Sequence, residues 1–204
     1  MRLKLLFSIE KGHYLSFNYP YYLAAWIYKQ IAFADAPLAA FLHQHGYTVR
    51  RKSFKLHTFS NLQVPFTIKN GLMHLQAPTA ILYLNFYLDT VAAQFVQGMF
   101  MHRRCILGDY QNCIHMTVQQ VEVLPLPKLQ PTVHLRTLSP LIIGRKNEYG
   151  NDDYLSPEEP DYANLLLKNL IEKYQSTGQA FNPAWQTTPF HFTLLQYHKK
   201  PHRL

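Results

Sequence analysis

Residues 28–60, YKQIAFADAPLAAFLHQHGYTVRRKSFKLHTFS, bring together Tyr28, the pair His43 and His45, and Lys55 with His57. Arg50, Arg51, Lys52 and Lys55 fall within six positions of the same stretch. This set suits phosphodiester chemistry without a metal. A histidine moves protons near neutral pH, because its unperturbed pKa is about 6.5. A lysine can hold the charge that develops on a pentacoordinate phosphorus, and a tyrosine can orient a hydroxyl or a phosphate oxygen. His43 and His45 are two apart, so on a helix they point to different sides, which argues against a shared metal. Clustered carboxylates are also lacking, and neither a metal site nor any other cofactor is expected.

Helices and a strand must position these groups. From Tyr19 to Ile31 the apolar residues recur at helical spacing, with Leu23, Ile27 and Ile31 on one face and Trp26 beside them. Tyr28 lies about 100° from Ile27 and flanks that buried stripe. A packing tyrosine is the bland alternative. Asp35 is a plausible N-cap for a second helix, with Pro37 in its first turn and Gly46 past its end. Leu38, Phe41, Leu42 and His45 would form its inward stripe, and His43 sits beside the stripe in the last turn. The polar segment from Tyr47 to Ser53 reads as a basic loop leading into a strand at 54–60. There Phe54, Leu56 and Thr58 share one face, and Lys55, His57 and Phe59 the other.

The arrangement resembles a known family. LAAWIYKQI at 23–31, LAAFLHQHG at 38–46 and FKLHTFSNL at 54–62 are similar to the start of the CRISPR-associated repeat-RNA-processing endoribonucleases, the "Cas six" family. Its members have a helix ending in a tyrosine, an "FLH" helix and a "KLFTFS"-like strand. Here His57 replaces the usual apolar residue of that strand. The opening MRLKLLFSIEKG and TLSPLIIG at 137–144 also fit. The resemblance implies two tandem ferredoxin-like (RRM-like) domains of α+β class. It implies cleavage of CRISPR repeat RNA into guide RNAs by metal-independent transesterification, in which the 2′-hydroxyl attacks the adjacent phosphate and leaves a 2′,3′-cyclic phosphate and a 5′-hydroxyl. By the same resemblance Tyr28, His43 and Lys55 match the catalytic positions: His43 as general base or acid, Tyr28 orienting, Lys55 stabilising charge. His45 and His57 are reserves for proton transfer. Arg50, Arg51 and Lys52, with His45 and His57, are the candidate RNA contacts. Besides repeat RNA, other CRISPR effector subunits and a second copy of the chain are candidate partners. The alternative is a catalytically weak or inactive repeat-RNA scaffold of the same fold.

Composition agrees with such a partner. The 204 residues are 48% apolar, which excludes a disordered chain, and the net charge of +8 favours a polyanion. The aromatic signature of a single RNA-recognition motif is absent. Cys105 and Cys113 are the only cysteines, too few for a disulfide framework, which points to a reduced, cytoplasmic compartment. The apolar run 5–9 is too short for a signal peptide, and 81–101 is interrupted by Asn85, Asp89, Gln94 and Gln97, so no membrane span is expected.

The rest of the chain reads as framework. Strands are expected at 2–9 and 81–88, a hairpin about Lys69-Asn70-Gly71, a helix at 89–100 with Val91, Phe95 and Met99 inward, and β structure at 106–107 and 114–124. This order gives a first ferredoxin-like domain over 1–124. The proline-rich run 125–131 is the expected junction, and 132–204 a second, partial ferredoxin-like domain. Within it a strand is expected at 132–143, a loop at 145–158, a helix at 159–174 burying Leu165, Leu166, Leu170 and Tyr174, a strand at 190–197, and a basic tail at 198–203. The family carries a glycine-rich, RNA-contacting loop near its C-terminus, which nothing here matches, so a truncated product or fragment is expected.

Overall fold

The computed structural model describes residues 1–128, 130–186 and 192–195. Contacts divide the chain into two compact units. The first comprises residues 1–47 and 55–139, and the second residues 48–54 and 140–204. The division thus falls later than the proline-rich run and lends a short stretch, 48–54, to the second unit.

The first unit begins with β1 (Arg2–Lys11) and the two-residue β2 (Tyr14–Leu15), then α1 (Tyr19–Ala34) and α2 (Ala36–Gln44). Leu3, Leu5 and Phe7 alternate inward along β1 and are fully buried, as the period of two requires. Along α1 the buried positions Leu23, Trp26, Ile27 and Ile31 follow the helical repeat. Asp35 ends α1 and caps α2: its carboxylate accepts from the Leu38 N–H at 2.9 Å, a contact worth about 1 kcal/mol. On α2, Ala39 and Leu42 are buried, whereas Phe41 points outward. The stripe is narrower than expected because nine residues offer only two turns to the core.

After β3 (Tyr47–Val49) and β4 (Lys52–Phe54) come β5 (His57–Phe59), β6 (Phe66–Lys69), β7 (Leu72–Leu75), β8 (Thr79–Phe86), α3 (Asp89–Met101), β9 (Arg104–Gly108) and β10 (Cys113–Leu124). One sheet has the order β5-β8-β1-β10-β9, with every adjacent pair antiparallel. Removing β9, which only extends the edge, leaves the 4-1-3-2 order of a βαββαβ ferredoxin-like domain. A second sheet, β2-β7-β6, is closed by the Asn70-Gly71 turn, where φ is 51° and 75°. Two positive φ values in a two-residue loop match the twist of the flanking strands.

Helices α1 and α3 pack against each other very closely at one point. A Cβ on Gly98 would sit 1.8 Å from the Gln30 carbonyl oxygen, so only glycine fits. The Gln30 side chain is buried there. With its amide nitrogen facing them, it lies 3.2 Å from the Gly98 carbonyl and 3.0 Å from that of His102.

The region about residue 56 corrects the expectation of one strand over 54–60. Leu56 has a φ of 53°, and the chain breaks there between β4 and β5. Residues 47–53, expected as a loop, belong with Phe54 to the β3–β4 hairpin, with Arg50 at a φ of 53° in its turn.

In the second unit, β11 (Gly144–Lys146) and β12 (Asp152–Tyr154) pair antiparallel within the expected loop, and α4 spans Tyr162–Gln175. No strand lies in 132–143: its apolar residues Val133, Leu135, Leu138, Leu141 and Ile142 are exposed rather than alternating into a core. Ile143, Leu155 and Tyr162 form a small buried cluster against which Leu165 and Leu166 pack. Leu170 is exposed and Tyr174 only half-buried, because α4 turns Glu172 inward instead. Residues 192–195 carry no strand, while 190–191, 196–197 and the basic tail lie outside the described residues.

Candidate active site

Tyr28 is half-buried on α1, where its ring meets two imidazoles edge-on. The His43 ring, from the last turn of α2, is 5.4 Å away, centroid to centroid, and the His57 ring, from β5, is 5.6 Å away. The one-residue link at Asp35 lays α2 against α1, and β5, which carries His57, follows only after the β3–β4 hairpin. Lys55 closes the group: its ammonium donates to the His43 carbonyl at 3.0 Å, beyond the last turn's own hydrogen bonds. A cation is favoured at that end of a helix.

Each member has a distinct electrostatic setting. Burial pushes the Tyr28 hydroxyl above its usual range, so it remains a protonated donor at neutral pH. Burial, with a smaller contribution from the Lys55 charge, holds His57 below the ordinary histidine value, and a backbone hydrogen bond partly opposes them. His57 Nδ1 lies 3.3 Å from the Lys55 carbonyl, which can only accept, so the neutral ring carries its proton on Nδ1. Nε2 is then left with a lone pair. His43 is exposed to solvent.

Four sequence-derived residues, Tyr28, His43, Lys55 and His57, therefore form one cluster. His57 reaches Tyr28 itself, a proximity that two-residue alternation did not reveal because it lacks the break at Leu56. His45 is exposed at the end of α2, with its ring 6.5 Å from that of Phe41. Arg50, Arg51 and Lys52 belong to the second unit. The two arginines are exposed in the hairpin turn, whereas Lys52 is engaged by the buried Glu172 carboxylate at 2.5 Å. Glu172 escaped sequence reading because an acidic residue at a helical core position normally signals a wrong register. Among the described residues, no three His, Cys, Asp or Glu side chains are grouped so as to hold a metal ion. No helix among them is long and apolar enough to cross a membrane.

Comparison with known proteins bears on the family and the fold. Residues 14–119 match the family model described as CRISPR-associated protein Cas6, N-terminal, and residues 124–203 match CRISPR associated protein Cas6, C-terminal. A curated relative, CRISPR-associated endoribonuclease Cas6 1 of Methanocaldococcus jannaschii, is 27% identical over 209 residues, covering 100% of this chain and 76% of its own length. A solved structure described as CRISPR associated protein Cas6 is 26% identical with a TM-score of 0.63, over 87% of this chain and 71% of the other. A second, of a Cas6-related gene from Pyrococcus furiosus, is 18% identical with a TM-score of 0.74 over the same shares, and establishes the fold. A third, an RAMP protein binding different RNA substrates, is 19% identical with a TM-score of 0.68, over 87% of this chain and 72% of its own. The antiparallel 4-1-3-2 sheet, the two matched halves and these neighbours identify an α+β chain of tandem ferredoxin-like fold that belongs to the CRISPR-associated Cas6 family.

Proposed function

We propose that this chain is an endoribonuclease that cuts CRISPR repeat RNA to release guide RNAs, using the RNA's own 2′-hydroxyl and no metal ion. The observation that carries this reading is the placement of Tyr28 between two imidazoles, with Lys55 tethered to the main chain of one of them.

The reaction needs one group to take the 2′-hydroxyl proton and one to protonate the departing 5′-oxygen. As the oxygen–phosphorus bond forms at the 2′ position, the bond to the 5′-oxygen breaks, leaving a 2′,3′-cyclic phosphate and a 5′-hydroxyl. His43, exposed to solvent in the last turn of α2, is the principal proton carrier. His57, neutral with Nε2 free, is suited to the accepting half. The Tyr28 hydroxyl donates to a phosphate oxygen and orients it. Lys55, held at the His43 carbonyl, supplies the positive charge that offsets the growing negative charge. The exposed Arg50 and Arg51 bind phosphates elsewhere along the RNA.

The substrate provides the test. Repeat RNA with a single deoxy substitution immediately 5′ of the scissile phosphate should bind normally and resist cleavage, and excess chelator should not slow the cutting of unmodified RNA. Continued cleavage of the deoxy substrate would make water the nucleophile and defeat the mechanism.

A further inference from the structure

On the first unit lies a second concentration of basic and aromatic groups that this chemistry does not use. An open depression of about 530 Å³ is lined by Glu10, Met101, His102, Arg103, Arg104 and Thr117, where α3 passes into β9. His102, Arg103 and Arg104 are all exposed. Among the described residues, neither arginine has an ion-pair partner, although the Glu10 carboxylate lines the same depression.

The main chain beneath these side chains is pinned at three consecutive carbonyls. The His102 carbonyl lies 3.0 Å from the Gln30 amide, turned as above. The Arg103 carbonyl accepts from the Val118 N–H at 3.0 Å, and the Arg104 carbonyl from the Trp26 indole N–H at 2.9 Å. Both exposed arginines thus stand on backbone fixed from α1 and from β10. Aromatic rings extend the surface. The His102 ring lies 3.7 Å from that of Phe33, tilted by 30°, and the Lys29 ammonium is 5.8 Å from the centre of the same Phe33 ring. The Arg103 guanidinium lies 5.8 Å from the centre of the Phe100 ring.

Unpaired guanidiniums on a fixed frame, beside stacked rings, have the chemistry of a single-stranded nucleic-acid contact: charge for phosphates and flat faces for bases. Lys29 and Phe33 stand one and five residues beyond Tyr28 on α1, no more than about 7.5 Å along the helix axis. The two sites therefore share one rigid element. We infer that the depression at the α3–β9 junction is a second RNA site, in which Arg103 and Arg104 hold phosphates of the strand whose scissile phosphate lies at Tyr28. The inference rests on the proposed function for the identity of the strand, and goes beyond it in giving the strand a second anchor.

The test uses the full chain and a 2′-O-methylated repeat RNA, which keeps every phosphate but cannot supply the attacking hydroxyl. Affinity is measured across a salt series for the unmodified protein, for Arg103→Ala/Arg104→Ala, and for Arg103→Lys/Arg104→Lys. Loss of two phosphate contacts should weaken binding roughly tenfold and lower the slope of log affinity against log salt by about 1.4. The lysine pair should restore the slope, since it keeps the charge, and a matching melting temperature would show that each variant is folded. With cleavable RNA the alanine pair should raise KM and leave kcat unchanged. If a folded alanine pair keeps the unmodified slope and affinity, the inference is overturned, and an acidic protein partner becomes the better reading of the depression. Should the unmodified protein bind but fail to cut RNA, the proposed function falls. A changed slope would even then support the second site.

Discussion

The groups that meet at Tyr28 and the basic residues that follow a few positions later stand on very different foundations. Tyr28 and the elements bearing His43 and His57 pack on a core that runs from Leu3 to Val118 and includes Leu23, Ile27, Leu42, Leu84 and Phe95. Arg50, Arg51 and Lys52 sit on a three-residue-stranded hairpin in a unit whose buried cluster is Ile143, Leu155 and Tyr162. The contrast matches what each proposed task demands. Proton transfer fails when donor and acceptor drift by an ångström, whereas a guanidinium attracts phosphate over several ångströms and from many directions. A large core is needed under the first group and is dispensable under the second.

Removing the proposed proton carrier tests that contrast most severely. His43→Ala should slow cleavage by about 10²–10⁴-fold and leave RNA affinity nearly unchanged, measured by single-turnover kinetics beside a binding titration. A comparable loss of affinity would mean that His43 serves binding rather than chemistry. Tyr28→Phe and Lys55→Ala should each cost less, on the order of tenfold in rate, because neighbours and water can partly replace orientation and charge. A loss from either exceeding that of His43→Ala would reverse the assigned roles.

The hairpin can be divided more finely. Lys52→Ala leaves the Glu172 carboxylate buried without its partner, and should destabilise the protein by about 1–3 kcal/mol in denaturant titration. Arg50→Ala/Arg51→Ala should leave stability alone and flatten the salt dependence of RNA binding. If the Lys52 variant is as stable as the parent, that residue is free for RNA after all.

The smallest effect concerns pH. Because the folded state holds His57 below the ordinary histidine value, the unfolded chain takes up its proton first on acidification. The folded state is therefore fully favoured above about pH 6.5, and this advantage drains away as pH falls from there through the lower folded value. His57→Leu, the kind of apolar residue that the family resemblance leads one to expect, should reduce the loss of melting temperature between pH 7.5 and pH 5. An unchanged loss would place the acid sensitivity elsewhere.

Much of this was legible in the chain itself, wherever local chemistry decides. Asp35 before Ala-Pro-Leu announces a cap, Asn70-Gly71 announces a tight hairpin, and Val91, Phe95 and Met99 mark a buried helix face. The neighbourhood of Tyr28 and His43 was within reach too, since each flanks a buried stripe on adjoining helices. Other features depend on distant partners and carried no local sign. A left-handed Leu56 breaks a run that alternation alone makes continuous, because leucine at positive φ is outside ordinary preference. Arg50 and Arg51 hide a hairpin turn that glycine or asparagine would have revealed. Residues 132–143 have strand-like composition but no sheet to join. Glu172 points inward because a lysine 120 positions earlier meets it there, and no periodicity encodes such a pairing.

The crossing at Gly98 has a consequence for how this protein can change over time. Gln30, which touches it, lies two residues from Tyr28 on the same helix. Any side chain at position 98 would act as a shim, lifting α1 away from α3 and carrying Tyr28 with it, while His57 stayed on its strand. The tolerance of the cluster is thus machined at a residue with no functional group at all. Drift there would shift the cluster's geometry while every residue of the cluster remained in place.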